Sequence, residues 1–279
     1  MAGTLFVVAT PIGHLDDITL RALAVLRTVS VVAAEDTRRT GRLLRHFGID
    51  VPLVSLHEHN ERTRSARLVA RLAAGESVAL VSDAGTPGIS DPGAELVRQA
   101  REHSIRVEPI PGASAVTAAL SVAGLPHSEF AFLGFAPIRS KDRKQWFDRL
   151  RECHAQMAVV CFEAPHRLRA SLTELDKLVK QPIFAFRELT KLHEETLHGT
   201  PAALVAQISE PRGEFVLVIP KAETVENTHV PIDYAYMETE LGVLTKSTTS
   251  RRDAARVLAK RLGLSTRQVY EATKDRAKG

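Results

Sequence analysis

Residues 77–93 read SVALVSDAGTPGISDPG and join a short apolar run to a loop rich in glycine and proline. The run from Ser77 to Val81 predicts a buried β-strand, and the glycines and prolines from Gly85 onward prevent a regular element. Loops at the carboxyl ends of strands bind ligands in open α/β sheets, and glycine lets the backbone approach a ligand closely. The alternative is a tight connection without a ligand, because turns use the same residues for conformational reasons.

The loop sequence restricts the kind of ligand. It matches neither G-x-G-x-x-G nor G-x-x-x-x-G-K-[ST], so neither a dinucleotide fingerprint nor a phosphate-binding P-loop is indicated. Asp83 directly follows the strand, and a carboxylate at that position repels an anion. The sequence therefore favours a ligand that carries hydroxyl or cationic groups.

Around this loop, apolar β-type runs alternate with amphipathic helical patterns, which predicts an α/β protein whose first sheet is mostly parallel with helices on both faces. A chain of 279 residues is long enough for two domains with separate cores. We expect an N-terminal α/β domain at 1–115 and a second α/β domain with its own sheet at 116–222. A polar linker at 223–240 and a small basic helical appendage at 241–279 should follow.

Composition narrows the class of protein. The chain is 44% hydrophobic and 25% charged, as in a soluble globular protein, and its net charge of +4 permits a polyanionic partner without requiring one. The N-terminus has no basic region and no apolar run long enough for a signal peptide or membrane span, so we expect a cytoplasmic protein without a membrane partner. Cys153 and Cys161 lack C-x-x-C spacing, which indicates neither a disulfide framework nor a zinc site.

The segment SRRDAARVLAKRLGLSTRQVYEATKD, at 250–275, predicts two short amphipathic helices joined near 263–265. Its length and turn resemble a helix-turn-helix, and basic residues greatly outnumber acidic ones. Two interpretations stay open. The segment is either a solvated helical hairpin or an appendage that contacts phosphates.

Several charged clusters follow predicted strands. In AEDTRRTGRLL, Glu35 and Asp36 with Arg38 and Arg39 form either a surface ion-pair set or a grip for phosphate. In SLHEHNE, His57 shares a face with a second histidine, yet hydrogen bonding is favoured over metal binding because no third ligand lies nearby. No metal site is therefore expected.

Two further clusters, CFEAPHRL and FRELTKLHEE, end strands of the second half. They should bring charged side chains to one rim, as either a salt-bridge network between domains or a catalytic rim. The side chains concerned are Glu163, His166, Arg167, Arg187, Glu188 and Lys191.

Seven motifs occur in order along the chain: ATPIGHLDDIT, AEDTRRTGRLL, HEHNE, VSDAGTPGISDPG, PIPGASA, FEAPHR and RELTKLHEE. Together they resemble the ribosomal RNA small subunit methyltransferase I family of the tetrapyrrole methylase superfamily. The resemblance runs from about Gly3 to Lys221, and the basic tail is similar to a C-terminal helical domain that many members carry. His14, Phe162 and Ala164 depart from the usual motif residues, which affects packing and polar contacts more than chemistry.

The resemblance implies two α/β domains of the tetrapyrrole methylase type, with S-adenosylmethionine in the crevice between them, and a homodimer. It also implies 2'-O-methylation of a cytidine ribose in the decoding region of 16S ribosomal RNA, on the small ribosomal subunit or its naked RNA. A methylase of a small tetrapyrrole, or a non-catalytic ribosome-binding protein with a relic pocket, are the alternatives.

The resemblance also implies roles for individual residues. Glu163 is the candidate base, while Arg167 and Lys191 would hold a flanking phosphate or lower the hydroxyl pKa. RNA contacts are expected from Arg38, Arg39, Arg187, Arg251 and Arg252. Cofactor contacts are expected from Pro11, Asp83, Ala84, Gly85, Thr86, Ile89, Ser114 and Phe162.

Overall fold

The computed structural model describes residues 2–126, 129–208, 211–222, 234–247 and 250–262, together with Thr266 and Val269. The chain divides into two compact units, 1–222 and 223–279. The first unit contains two five-stranded sheets. These sheets and their helices have the α/β architecture that the sequence predicted.

The first sheet has the strand order β3-β2-β4-β1-β5, and all of its pairings are parallel. Its strands are β1 (Thr4–Val8), β2 (Val31–Ala34), β3 (Leu53–Ser55), β4 (Val78–Val81) and β5 (Arg106–Ile110). The strand that precedes the glycine-rich loop is the central, fully buried β4. A fully apolar run suits that place, because the strand is covered on both faces.

Four helices cover the two faces of this sheet. They are α1 (Leu20–Thr28), α2 (Thr37–His46), α3 (Glu61–Ala73) and α4 (Ala94–Glu102). Leu26 of α1 and Leu44 of α2 pack in one buried cluster, and Leu72 of α3 and Leu96 of α4 pack in the other. The helical residues that face the sheet are thus those predicted by the apolar period.

The second sheet has the order β6-β7-β10-β8-β9. Its strands are β6 (Phe130–Phe135), β7 (Ala158–Glu163), β8 (Ile183–Arg187), β9 (Glu195–Gly199) and β10 (Phe215–Ile219). In its described pairings, β6 and β7 run parallel and the other neighbours run antiparallel. Sequence reasoning missed β9, because this edge strand reads ETLHG and is largely exposed.

Helices also cover both faces of the second sheet. They are α5 (Ala115–Ala123), α6 (Ser140–His154), α7 (Pro165–Asp176) and α8 (Pro201–Gln207). Leu150, Leu172 and Leu204 of the last three helices share one buried cluster, while α5 packs against the opposite face through Val116 and Ala119. Helix α5 therefore follows the first sheet in the chain but belongs to the core of the second.

The unit 223–279 contains α9 (Tyr234–Ser247) and α10 (Arg251–Leu262). Helix α9 begins inside the predicted linker 223–240, so the linker prediction is wrong for residues 234–240. Met237 and Leu241 lie four residues apart and bury one face of α9 against α10. The second helix predicted for the tail lies largely outside the described residues. No helix in the described ranges is both long enough and apolar enough to span a membrane.

Glu61, the first residue of α3, holds the end of the glycine-rich loop. Its Oε1 accepts hydrogen bonds from the backbone N–H groups of Gly93 at 2.8 Å and Glu95 at 3.0 Å. These N–H groups belong to the N-terminus of α4, where no residue of the helix itself provides an acceptor. A side chain from a neighbouring helix thus replaces the usual N-cap.

We expect Glu61→Ala to lower the free energy of unfolding by about 1–2 kcal/mol, the usual cost of losing a cap and leaving N–H groups without an acceptor. Urea denaturation would measure it. The control is Glu58→Ala, which removes an exposed carboxylate three residues earlier. Equal stabilities of the two variants would contradict the capping role.

Candidate active site

A cavity of about 280 Å³ lies where the carboxyl end of β4 faces α5 and the second sheet. Seven of the eight residues expected to contact the cofactor line it: Asp83, Ala84, Gly85, Thr86, Ile89, Ser114 and Phe162. The eighth, Pro11, lines an adjoining cavity of about 250 Å³. Glu163 and Lys191 also line the first cavity, whereas Arg167 lies behind Glu163 rather than on the described wall.

Backbone pairing fixes the loop after β4 against the loop after β1. The N–H of Thr10 donates to the carbonyl of Gly85 at 2.9 Å, and the N–H of Gly85 donates to the carbonyl of Thr10 at 3.0 Å. Gly85 has φ +82°, a left-handed conformation that favours glycine. The two loops therefore form one continuous wall.

The cavity wall is acidic. Among its described lining residues, six carboxyl side chains face two cations. The carboxyl groups belong to Glu35, Asp83, Asp91, Glu163, Glu188 and Glu214, and the cations to Arg39 and Lys191. Such a wall attracts a cationic ligand and repels a pyrophosphate.

Two of these carboxyl groups titrate abnormally. Burial, followed by the negative charge of Glu35, raises the pKa of Asp91 to about 7. Burial, followed by the charge of Asp83, also raises the pKa of Glu35. The buried Oε2 of Glu35 has no hydrogen-bond partner among the described residues, and Glu35 is one of the residues that line the cavity.

Glu163 ends β7 and is only 2% exposed. Its Oε1 accepts a hydrogen bond from the N–H of Ala164 at 2.9 Å and lies 3.5 Å from Nε of Arg167, and its Oε2 accepts one from the hydroxyl of Ser171. Arg167 also donates to the carbonyl of Ala136, in the segment after β6. Both oxygens of Glu163 are thus engaged in contacts that hold β7, α7 and the end of β6 together.

Lys191 bridges two carboxylates. Its Nζ lies 2.9 Å from Glu188 and 2.9 Å from Glu214. Burial alone would lower the pKa of Lys191, but hydrogen bonds and charge attraction from these carboxylates outweigh burial and raise it. Lys191 therefore remains a cation at neutral pH and cannot serve as a base.

The Lys191 loop also meets the loop after β1. The N–H of His14 donates to the hydroxyl of Thr190 at 3.1 Å, and a Cβ on Gly13 would come within 2.5 Å of the Lys191 side chain. Glu188 has φ +50° and Thr190 has φ +64°, conformations that such residues rarely adopt. Glycine at position 13 permits this close approach.

In the first unit, the arginines predicted to bind RNA already form ion pairs with carboxylates of the protein. Arg38 pairs with Asp36 at 2.8 Å, Arg39 pairs with Asp83 at 3.4 Å, and Arg187 pairs with a glutamate of β9 at 3.1 Å. Arg38 and Arg39 remain mostly exposed and Arg187 does not. Arg251 and Arg252 are exposed in the first turn of α10.

The histidine cluster contains no site for a metal within the described part of the chain. His57 Nε2 lies 3.0 Å from the side-chain amide of Asn60, and the rings of His57 and His59 meet edge to face. These contacts are hydrogen-bonding and packing contacts.

Sequence reasoning missed Asp91 and Glu214 as residues of the cavity. Asp91 lies in the same loop as Asp83, so its position after the glycines could have suggested it. Glu214 precedes β10 and carries no local signal. It reaches the cavity because β10 is the central strand of the second sheet.

Comparison with known proteins agrees with this architecture. The family model for Tetrapyrrole (Corrin/Porphyrin) Methylases matches residues 4–205. A ribosomal RNA small subunit methyltransferase I of Synechocystis sp. is 44% identical over 273 residues, which cover 96% of each chain. One of Xylella fastidiosa is 50% identical over 224 residues, which cover 78% of this chain and 81% of that protein.

Among solved structures, uroporphyrin-III C-methyltransferase from Thermus thermophilus complexed with S-adenosyl homocysteine has a TM-score of 0.58 at 18% identity. The match covers 77% of this chain and 97% of the Thermus thermophilus chain, which shows a shared fold. The two sheets and their cavity thus define a methylase of the tetrapyrrole type. Within that class, the chain belongs to the ribosomal RNA small subunit methyltransferase I family, as its motifs predicted.

We expect Asp91→Asn to stabilise the protein at pH 8 by about 1 kcal/mol after solvent screening, and to raise Tm by about 2–4 °C. Because the pKa of Asp91 is raised to about 7, the folded protein holds this proton more tightly than the unfolded chain, whose pKa is about 3.9. The stability contributed by Asp91 therefore falls as the pH rises from about 4 to 7. Thermal unfolding at pH 5 and pH 8 measures the difference, which should be much smaller at pH 5.

Asp50→Asn, which changes an exposed aspartate at the end of the α2–β3 connection, serves as the control. A gain in Tm that is equal at both pH values, or equal in the control, would show that Asp91 carries no buried charge.

Proposed function

We propose that the protein transfers a methyl group from S-adenosylmethionine to the ribose 2'-hydroxyl of a cytidine in the decoding region of 16S ribosomal RNA. The observation that carries the proposal is the acidic cavity around the Asp83 loop, in a chain of this family. S-adenosylmethionine carries a sulfonium and an ammonium, which suit carboxylates. Its hydroxyls suit the polar atoms of the loop.

The residues present fit this cofactor. The glycines at 85 and 88 let the loop backbone come close to it. The aromatic rings of Phe135 and Phe162, whose centroids lie 5.4 Å apart and whose planes are tilted by 59°, offer an apolar surface to an adenine. Asp83 and Asp91 would face its positive groups. When bound, S-adenosylmethionine supplies an electrophilic methyl group on a positively charged sulfur.

Positioning should supply most of the rate. Transfer to a hydroxyl requires the oxygen to lie in line with the methyl carbon at about 3 Å. Lys191, held as a cation by Glu188 and Glu214, can stabilise the negative charge that develops on that oxygen or hold a neighbouring phosphate. Arg167 would act indirectly, by holding Glu163 and the end of β6.

The hydroxyl proton needs an acceptor. Both oxygens of Glu163 already accept hydrogen bonds or face Arg167, which favours a positioning role over the expected role as base. Glu35 has a buried oxygen without a partner among the described residues, and burial and the charge of Asp83 raise its pKa. Glu35 is therefore the better candidate for the base.

We expect Glu35→Gln to lower kcat at least 100-fold, the usual contribution of a positioned base, and to remove the acidic limb of the pH–rate profile. Calorimetry should show that the Kd for S-adenosylmethionine changes by less than about tenfold, because Asp83 and Asp91 remain. Glu163→Gln is the matched comparison. It should mainly lower Tm, because an amide cannot satisfy all three partners of the carboxylate.

A large loss of kcat in Glu163→Gln at unchanged stability, with Glu35→Gln active and its pH profile intact, would return the role of base to Glu163.

Methyl transfer from labelled cofactor tests the function itself. We expect the label to enter unmethylated small ribosomal subunits or their naked RNA, in a base-stable form at a single ribose. A tetrapyrrole precursor offered in parallel should remain unlabelled. Label in the tetrapyrrole alone would mean that the fold hosts a small-molecule methylase, and cofactor binding without any transfer would support a relic pocket.

Arg38, Arg39, Arg187, Arg251 and Arg252 remain proposed phosphate contacts. The exposure of Arg38, Arg39, Arg251 and Arg252 supports this role. The existing ion pairs of Arg38 and Arg187 would have to exchange for phosphate, which reduces the net gain. Their alanine variants should each make the salt dependence of RNA binding less steep, and an unchanged slope would exclude the contact concerned.

A further inference from the structure

A second cavity, of about 250 Å³, adjoins the acidic cavity. Six residues line both: Ile12, Arg39, Asp83, Ala84, Lys191 and Glu214. Ligands in the two cavities would therefore meet at one shared wall, and this wall includes the cationic Lys191. A group bound in the second cavity is therefore close enough to react with a ligand bound in the first.

The rim of the second cavity is the basic side of α2. Arg39 and Arg42 are three residues apart on this helix and both line the cavity. Arg39 is paired with Asp83, whereas Arg42 is exposed and has no ion pair or hydrogen bond to any residue that the structure describes. A planar guanidinium without a protein partner is suited to bind a phosphate with two parallel hydrogen bonds.

Part of the wall of this cavity is apolar. Pro11, Ile12, Leu15 and Leu43 line it, and Leu15 is 39% exposed although it is a large hydrophobic residue. An apolar floor under a cationic rim matches a nucleotide, whose base and sugar need cover and whose phosphate needs a cation.

We propose that the second cavity is the subsite for the target ribonucleotide and that Arg42 binds the phosphate next to the methylated ribose. The inference rests on the proposed function, because it specifies how that substrate is held. The base and ribose lie on the apolar floor, and the reacting hydroxyl faces the shared wall beside Lys191. Arg42 contacts the substrate without contacting the cofactor.

The test uses the full chain and unmethylated small ribosomal subunits with labelled S-adenosylmethionine. For Arg42→Ala we expect KM for the subunits to rise at least tenfold, with kcat within about twofold and the Kd for S-adenosylmethionine unchanged. The slope of log K against log salt should become less negative by about 1, since one phosphate contact is lost. For Arg42→Lys, KM and the salt slope should lie between those of the unmodified protein and those of Arg42→Ala, because lysine keeps the charge but lacks the planar guanidinium.

The matched control is Arg67→Ala, which removes an exposed arginine on α3 that lies outside both described linings. It should behave as the unmodified protein. A second variant, Leu15→Trp, fills the floor of the second cavity without altering any charge. It should also raise KM for the subunits at least tenfold while the Kd for S-adenosylmethionine stays unchanged, provided that thermal unfolding shows a folded protein.

These experiments distinguish a failure of the subsite assignment from a failure of the proposed function. If the unmodified protein methylates ribosomal RNA while Arg42→Ala and Leu15→Trp keep its KM and salt slope, the subsite is wrong and the function stands. If the unmodified protein binds S-adenosylmethionine but methylates no RNA, the proposed function is wrong, and the subsite assignment is overturned with it.

Discussion

The paired backbone hydrogen bonds between Thr10 and Gly85 are the constraint on which the site depends. They join the loops after β1 and β4, which are neighbouring strands at the centre of the first sheet. Since Asp83 lies two residues before Gly85, the pairing also fixes where that carboxylate meets Arg39 and the N–H of Asp36. A side chain at position 85 would have to adopt φ +82° beside Ile12, so glycine is required there for conformational reasons as well as for access to a ligand.

The same wall concentrates charge that does not favour folding. Asp91 and Glu35 keep carboxyl groups partly buried near like charges, and Glu35 has an oxygen without a partner among the described residues. In contrast, Glu163 and Lys191 are held by several partners each. Glu35 thus keeps an oxygen that the protein leaves unsatisfied, while Glu163 and Lys191, which shape the cavity, are paired. This division is typical of sites that trade stability for binding.

The two sheets contribute different parts of the chemistry. Glu35 and Asp83 follow the ends of parallel strands of the first sheet, and Asp91 lies in the loop between β4 and α4. Ligands usually bind at this edge of an open α/β sheet. The second sheet, mainly antiparallel in its described pairings, supplies a rigid wall of Phe162, Phe215 and Val216 together with the Glu188–Lys191–Glu214 bridge. The cavity therefore lies between a polar, loop-built side and an apolar, strand-built side.

Local sequence determined the strand at 78–81, the helix with apolar residues at Leu68 and Leu72, and the motifs that assign the family, because propensity, period and turn chemistry act over a few residues. It also favoured a ligand with hydroxyl or cationic groups at the Asp83 loop. The tertiary structure alone decided that α9 extends into the expected linker, that the polar segment ETLHG forms an edge strand, and that Glu163 is enclosed by Ser171 and Arg167. It also decided that Asp91 and Glu214 face one cavity. Contacts between residues distant in the chain depend on which strands become neighbours. Burial and pKa depend on those contacts, so short segments of sequence do not determine them.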